Sequence, residues 1–192
     1  RDSAAAGSFV ANANGMETLT VLENDLLKAT FSNKGGWLKQ VELKNYTGPD
    51  SANVVMGGWP TEYFGYNIIT QPGQSTETSK LFFTNPTVKK NADGSQTIAY
   101  SLAGGNSNIT HSFTLSAADY RIAANIALTG SQQLVSNREL NINWQTTARR
   151  QQHDAEYEKT QTRLVYQTGD QYDYNSAMQG TVQKLENPTD WV

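Results

Sequence analysis

Alternation dominates the middle of the chain. Ile98, Tyr100 and Leu102 share one face of an extended segment, and Ile109, His111, Phe113 and Leu115 share a face of the next, opposite Thr110, Ser112 and Thr114. Tyr120, Ile122, Ala124, Ile126 and Leu128 repeat the pattern, and Leu140, Ile142 and Trp144 alternate with Asn141, Asn143 and Gln145. A two-residue period marks strands that bury one face and wet the other. Asn91-Ala92-Asp93-Gly94 and Gly104-Gly105-Asn106 separate the runs with residues suited to tight reversals.

Upstream, residues 18–23 and 26–31 read as strands, followed by the strong turn signal Ser32-Asn33-Lys34-Gly35-Gly36 and a strand over 37–43. Leu38 is out of phase with Val41 and Leu43, which predicts a bulge or an irregular start there. Residues 45–80 are turn-rich and read as a loop system with a short strand around 64–69. Trp59, Tyr63, Phe64 and Tyr66 cluster within it, either packing over one end of the core or forming a recognition surface. Residues 81–83 read as a short strand. Residues 148–160 are charged and lack a continuous apolar stripe, which predicts a surface helix of one or two turns or a long hairpin edge. A strand over 163–166, a polar loop over 168–180 and a last strand over 180–185 complete the pattern. Residues 1–16, rich in Ala, Ser, Asn and Gly, read as a flexible lead-in or the end of a linker. The prediction is all-β: a single antiparallel sandwich of two large sheets over 17–192, with no internal repeat.

Composition supports this picture and narrows the function classes. The 192 residues suffice for one large β domain or two small ones. A hydrophobic fraction of 37% is low, but four Trp, nine Tyr and six Phe supply apolar area that disordered segments lack. The net charge of −3 and the lack of any basic run beyond Arg149-Arg150 argue against a nucleic-acid partner. The absence of cysteine excludes thiol nucleophiles, Fe–S clusters and thiolate metal sites, and it is compatible with an oxidising compartment. No run approaches the roughly 20 apolar residues of a membrane span. The chain opens with Arg rather than Met, so the lack of a signal or anchor says nothing of a longer protein.

Candidate chemistry is sparse. The two histidines, His111 and His153, do not stand at a metal-binding spacing. His111 is in phase with core positions, which predicts a partly buried structural imidazole. An acid–base role would need a carboxylate within hydrogen-bond reach and an open pocket. His153, in the polar run from Arg149 to Asp154, reads as solvated surface. Glu156 and Glu158 flank Tyr157 and would point the same way from a strand, but nothing sets them across a scissile bond as a glycosidase pair requires. Gly35-Gly36 lacks the pattern of a phosphate loop. Trp37, Trp59 and Trp144 are candidate sugar or peptide platforms, or core and half-buried sheet surface. The expectation is no catalytic residue, no cofactor-binding residue and no metal ligand.

The run from Leu22 to Gly36, centred on Asn33-Lys34-Gly35-Gly36, and the run from Trp37 to Tyr46 closely resemble the start of the periplasmic domain of YidC membrane insertases, in its Bacteroidetes form. Ile109-Thr110-His111-Ser112-Phe113-Thr114-Leu115, Leu140-Asn141-Ile142-Asn143-Trp144 and the stretch from Ala148 to Glu158 resemble later segments of that family, in the same order. Asp190-Trp191-Val192 resembles the approach to the run before the family's membrane core. The resemblance covers residues 17–192. It implies a galactose-mutarotase-like β-supersandwich on the periplasmic side of the bacterial inner membrane, cut before the membrane-embedded insertase core. It further implies a non-catalytic accessory domain of an insertase that inserts and helps fold inner-membrane proteins. The implied partners are Sec translocon components and nascent inner-membrane proteins, with the membrane reached through flanking transmembrane helices outside this chain. The family's groove arginine lies in the membrane bundle, so neither Arg149 nor Arg150 is matched to it. A carbohydrate-binding or mutarotase-like enzyme resting on His111 is the alternative, and a secreted adhesin-like module is a third reading.

Overall fold

Two compact units account for the chain: residues 1–47 with 53–149, and residues 48–52 with 150–192. The computed structural model describes residues 6–84, 86–130, 134–135, 139–176 and 184.

In the first unit, β1 (Leu19–Glu23), β2 (Leu27–Ser32), β3 (Trp37–Thr47) and β4 (Asn53–Gly57) form an antiparallel sheet in sequence order. Asn24 builds the first turn, its side-chain oxygen accepting the N–H groups of Leu26 and Leu27 at 2.9 Å each. The expected bulge lies on β3. Phe31 pairs with Leu38 and Thr30 with Gln40, leaving Lys39 as the extra residue. That insertion restores phase, so Leu38, Val41 and Leu43 all pack against the core.

β5 (Tyr63–Gln71) and β6 (Gln74–Glu77) form a hairpin within the turn-rich stretch. β7 (Thr87–Lys90), β8 (Gln96–Gly104), β9 (Ser107–Leu115) and β10 (Ile122–Thr129) form a second four-stranded antiparallel sheet, ordered β10-β9-β8-β7. Both glycine turns fall where expected, with Gly94 at φ 83° and Gly105 at φ 58°. Alternate residues of β9, from Ser107 to Leu115, are buried. β11 (Ile142–Gln145) pairs with β5 on the edge away from β6. Ala29 and Phe31 of the first sheet, Tyr66 and Ile68 of β5, and Tyr100 and Phe113 of the second sheet belong to one buried cluster. The rings of Phe31 and Phe113 lie 5.2 Å apart where the two four-stranded sheets meet.

Elsewhere packing overrides the pattern. The small-residue segment expected as a lead-in instead carries a 3₁₀ helix, Gly7–Asn12, whose Phe9 is fully buried. One large ring outweighs a run of small residues when a site exists for it. The short strand expected over 81–83 reduces to a single bridge, Lys34 to Phe82. Its partner is the turn after β2, where Gly35 N–H reaches Leu81 O and Phe83 N–H reaches Asn33 O, so no ladder can extend. β11 does not bury one face: Ile142 is 48% and Trp144 68% exposed. It is short, pairs only with β5, and all four of its residues are exposed.

In the second unit, Asp154 caps α1 (Ala155–Gln161) by accepting the Tyr157 N–H at 2.9 Å. β12 (Arg163–Thr168) pairs with β13 (Gln171–Ser176). β13 occupies part of the stretch expected as polar loop, since a two-residue turn at Gly169 returns the chain. Apart from Lys184, the strand expected over 180–185 lies outside the described residues, as do residues 1–5 and 190–192. Among the described residues, no helix is long and apolar enough to cross a membrane.

Candidate functional site

His111 is the residue on which an enzymatic reading depends. Its position on β9 places it inside the core, fully buried. Nδ1 lies 2.8 Å from the carbonyl oxygen of Gly36, and Nε2 lies 2.8 Å from the Tyr66 hydroxyl. A carbonyl can only accept, so Nδ1 carries the proton and Nε2 accepts from Tyr66. The rings of Phe83, Tyr66 and Phe64 surround the imidazole at 4.6, 5.7 and 6.2 Å. Burial holds the imidazole below its usual pKa, against the opposing pull of the Gly36 and Gly35 backbone. Burial likewise raises the Tyr66 hydroxyl well above the ordinary phenol range. Both ring nitrogens are occupied by a carbonyl and a phenol, and no carboxylate is bonded to either. The imidazole is thus wired as a structural joint between β9, β5 and the turn after β2.

Gly36 makes that joint possible. It sits at φ 60°, and a Cβ there would lie 2.9 Å from the Phe83 ring. Asn33 fixes the other end of the same turn: its side-chain oxygen accepts Thr18 N–H at 2.7 Å, and its amide donates to Met16 O at 3.2 Å. The Asn-Lys-Gly-Gly block therefore closes β2 onto the chain entering β1 and receives His111 from β9.

An open cleft of about 560 Å³ lies elsewhere on the first unit. Its aromatic lining is Trp37 of β3, Trp59 from the loop that leads into β5, and Tyr63, the first residue of β5. The Lys39 bulge builds one wall. The Lys39 carbonyl accepts Gly58 N–H at 2.9 Å, and a Cβ on Gly57 would lie 2.7 Å from that oxygen. The Lys39 ammonium meets Glu17 at 2.6 Å, which, together with Ser32, draws the Glu17 pKa below the usual carboxylate range despite opposing burial.

Glu62 anchors the loop. Its buried carboxylate accepts Trp59 N–H at 2.8 Å, Thr147 N–H at 2.7 Å and the Thr146 hydroxyl at 3.2 Å. The Arg149 guanidinium stacks 4.7 Å from the Trp59 ring centre. Lys34, Lys80 and Glu77 complete the charged rim.

Sequence grouping united Trp59, Tyr63, Phe64 and Tyr66, but the structure divides them. Phe64 and Tyr66 face His111, whereas Trp59 and Tyr63 line the cleft. Trp37 joins the cleft; Trp144 is not part of its lining. Glu62 was not legible as a clamp, although a glutamate three residues after Trp59 can reach back to that N–H as in a helix capping box. Glu156 and Glu158 lie on α1 rather than a strand, so they do not share a face. Glu158 accepts Gln151 N–H and Gln152 N–H at 2.7 and 3.1 Å. His153 is exposed. Among the described residues, no group of three or more His, Cys, Asp or Glu is placed to hold a metal ion.

The chain is 29% identical to the membrane protein insertase YidC of Bacteroides fragilis over 190 residues, 97% of this chain and 30% of that protein. It is 26% identical to that of Parabacteroides distasonis over 181 residues, 93% of this chain and 28% of that protein. With the Chlorobium luteolum protein, identity is 30% over 148 residues, 72% of this chain and 25% of that protein. The chain spans about 30% or less of the length of these relatives. No solved structure matches it. The family model of the YidC periplasmic domain matches residues 19–192, and the chain belongs to that family.

Proposed function

We propose that this chain is a non-catalytic accessory domain of a membrane protein insertase, displayed on the periplasmic side of the inner membrane. It shields or docks partners beside a membrane-embedded core that performs insertion. The observation that carries this reading is the wiring of His111. The two blocks on which the family resemblance rests, the turn at 33–36 and the β9 run, meet through that residue and hold the core rather than an open acid–base pair. The antiparallel sheets support a β-supersandwich of the galactose-mutarotase kind. A mutarotase-like enzyme on that fold loses its candidate residue, since fold likeness alone confers no activity. Partners in this reading are Sec translocon components and nascent membrane proteins, held on a sheet edge or an apolar face.

The test is excision of residues 19–192 from the full-length insertase with its membrane helices intact and expression matched. A single-span client should still insert, at a rate reduced only where docking limits it. Complete loss of insertion with correctly assembled helices would show that the domain performs the insertion step itself.

A further inference from the structure

We propose that the cleft lined by Trp37, Trp59 and Tyr63 binds a saccharide. This does not rest on the insertase reading, nor on any likeness of fold; it rests on the lining. A volume of about 560 Å³ falls within the roughly 300–1,000 Å³ of small-ligand sites. Three aromatic side chains offer flat apolar surface for the C–H face of a pyranose ring. Arg149 covers the Trp59 ring from one side and, with the Glu62 clamp, fixes it in place before any ligand arrives.

The charges select among ligand classes. Three lysines and three glutamates line the cleft, so the formal charge of the lining cancels. A simple anion would require an excess of positive charge, and an apolar peptide would require walls free of ammonium and carboxylate groups. Lys39 and Glu17 already satisfy each other, and Glu62 is filled by two backbone N–H groups and a hydroxyl. Lys80 and Glu77 make none of the ion pairs found among the described residues, whereas the Lys34 ammonium already lies 6.0 Å from the Phe82 ring centre. Lys80 and Glu77 leave donors and an acceptor around the aromatic surface. A sugar hydroxyl both accepts and donates, so it uses an ammonium and a carboxylate together.

The experiment titrates the 192-residue chain with cellotriose and with triacetylchitotriose, following tryptophan fluorescence and amide chemical shifts. Saturable binding of at least one, with a Kd of about 1 mM or tighter, is expected. Trp59→Ala should weaken it about tenfold or more, and so should Lys80→Ala combined with Glu77→Gln, a rim change that leaves the core alone. Trp144→Ala, outside the cleft, should leave it unchanged. No shift of cleft resonances at about 10 mM of either sugar overturns the proposal. So does binding that survives the rim variant, or tighter binding of an apolar heptapeptide in the same cleft.

Discussion

The Gly36 carbonyl accepts the His111 Nδ1–H at 2.8 Å, joining β9 to a turn 75 residues earlier in the chain. Tyr66 closes the other side of the imidazole from β5, so one side chain links three segments of the first unit. Each bond is sheltered from water, and each partner would be left buried and unpaired if the imidazole were removed.

His111→Ala should therefore lower unfolding free energy by about 2–4 kcal/mol, combining a cavity with two orphaned polar groups. Urea denaturation of the isolated chain measures this. In the full-length insertase, the same substitution should leave insertion intact wherever the protein accumulates folded. A stable, well-folded His111→Ala protein that cannot insert its client would refute the structural assignment.

The same residue gives stability a pH dependence of defined sign. Its pKa is lowered in the folded state, chiefly by burial, so the unfolded chain takes up the proton first as pH falls. The His111 contribution is complete above the unfolded value of about 6.5 and is lost as pH drops through the folded value. The slope for one proton is at most about 1.4 kcal/mol per pH unit. His111→Gln should flatten the stability profile just below about pH 6.5, before carboxylates such as Glu17 begin to titrate. An unchanged profile in that variant would assign the dependence to another group.

What the sequence made legible was the part governed by strict alternation. β8 and β9 follow their pattern because both are interior strands, each with a core beneath one face. The phase slip at Leu38 located the Lys39 bulge, since a one-residue insertion is the simplest way to return Val41 and Leu43 to the core side. Phe9 was illegible because a lone aromatic among small residues has no periodicity. β11 misled because alternation reports which residues share a face, not whether anything covers it. The cleft was only half legible: the tryptophans stood out, but the Glu62 clamp joins positions more than 80 residues apart.

Gly36 and Gly73 provide a matched comparison. Both have positive φ, 60° and 75°. A Cβ at Gly36 meets the Phe83 ring at 2.9 Å, whereas one at Gly73 meets nothing within 4 Å. Gly73→Ala should cost about 1–2 kcal/mol from backbone strain alone. Gly36→Ala should cost more, because Phe83 must also shift against His111. Equal losses in urea denaturation would show that the 33–36 turn relaxes freely.

Phe9 and Gly104 test whether the amino-terminal segment belongs to the core. Phe9 is fully buried, and a Cβ built on Gly104 would lie 2.5 Å from its ring, so β8 leaves space there for the aromatic. Phe9→Ala should cost about 3–5 kcal/mol if the ring is a true core element. Gly104→Ala should also destabilise, by forcing that ring out of its site. The double variant should be less destabilised than the sum, since removing the ring removes the clash; the expected coupling is about 1 kcal/mol or more. Additive losses, or a Phe9→Ala protein as stable as the parent, would mean that the segment is a loosely attached lead-in after all.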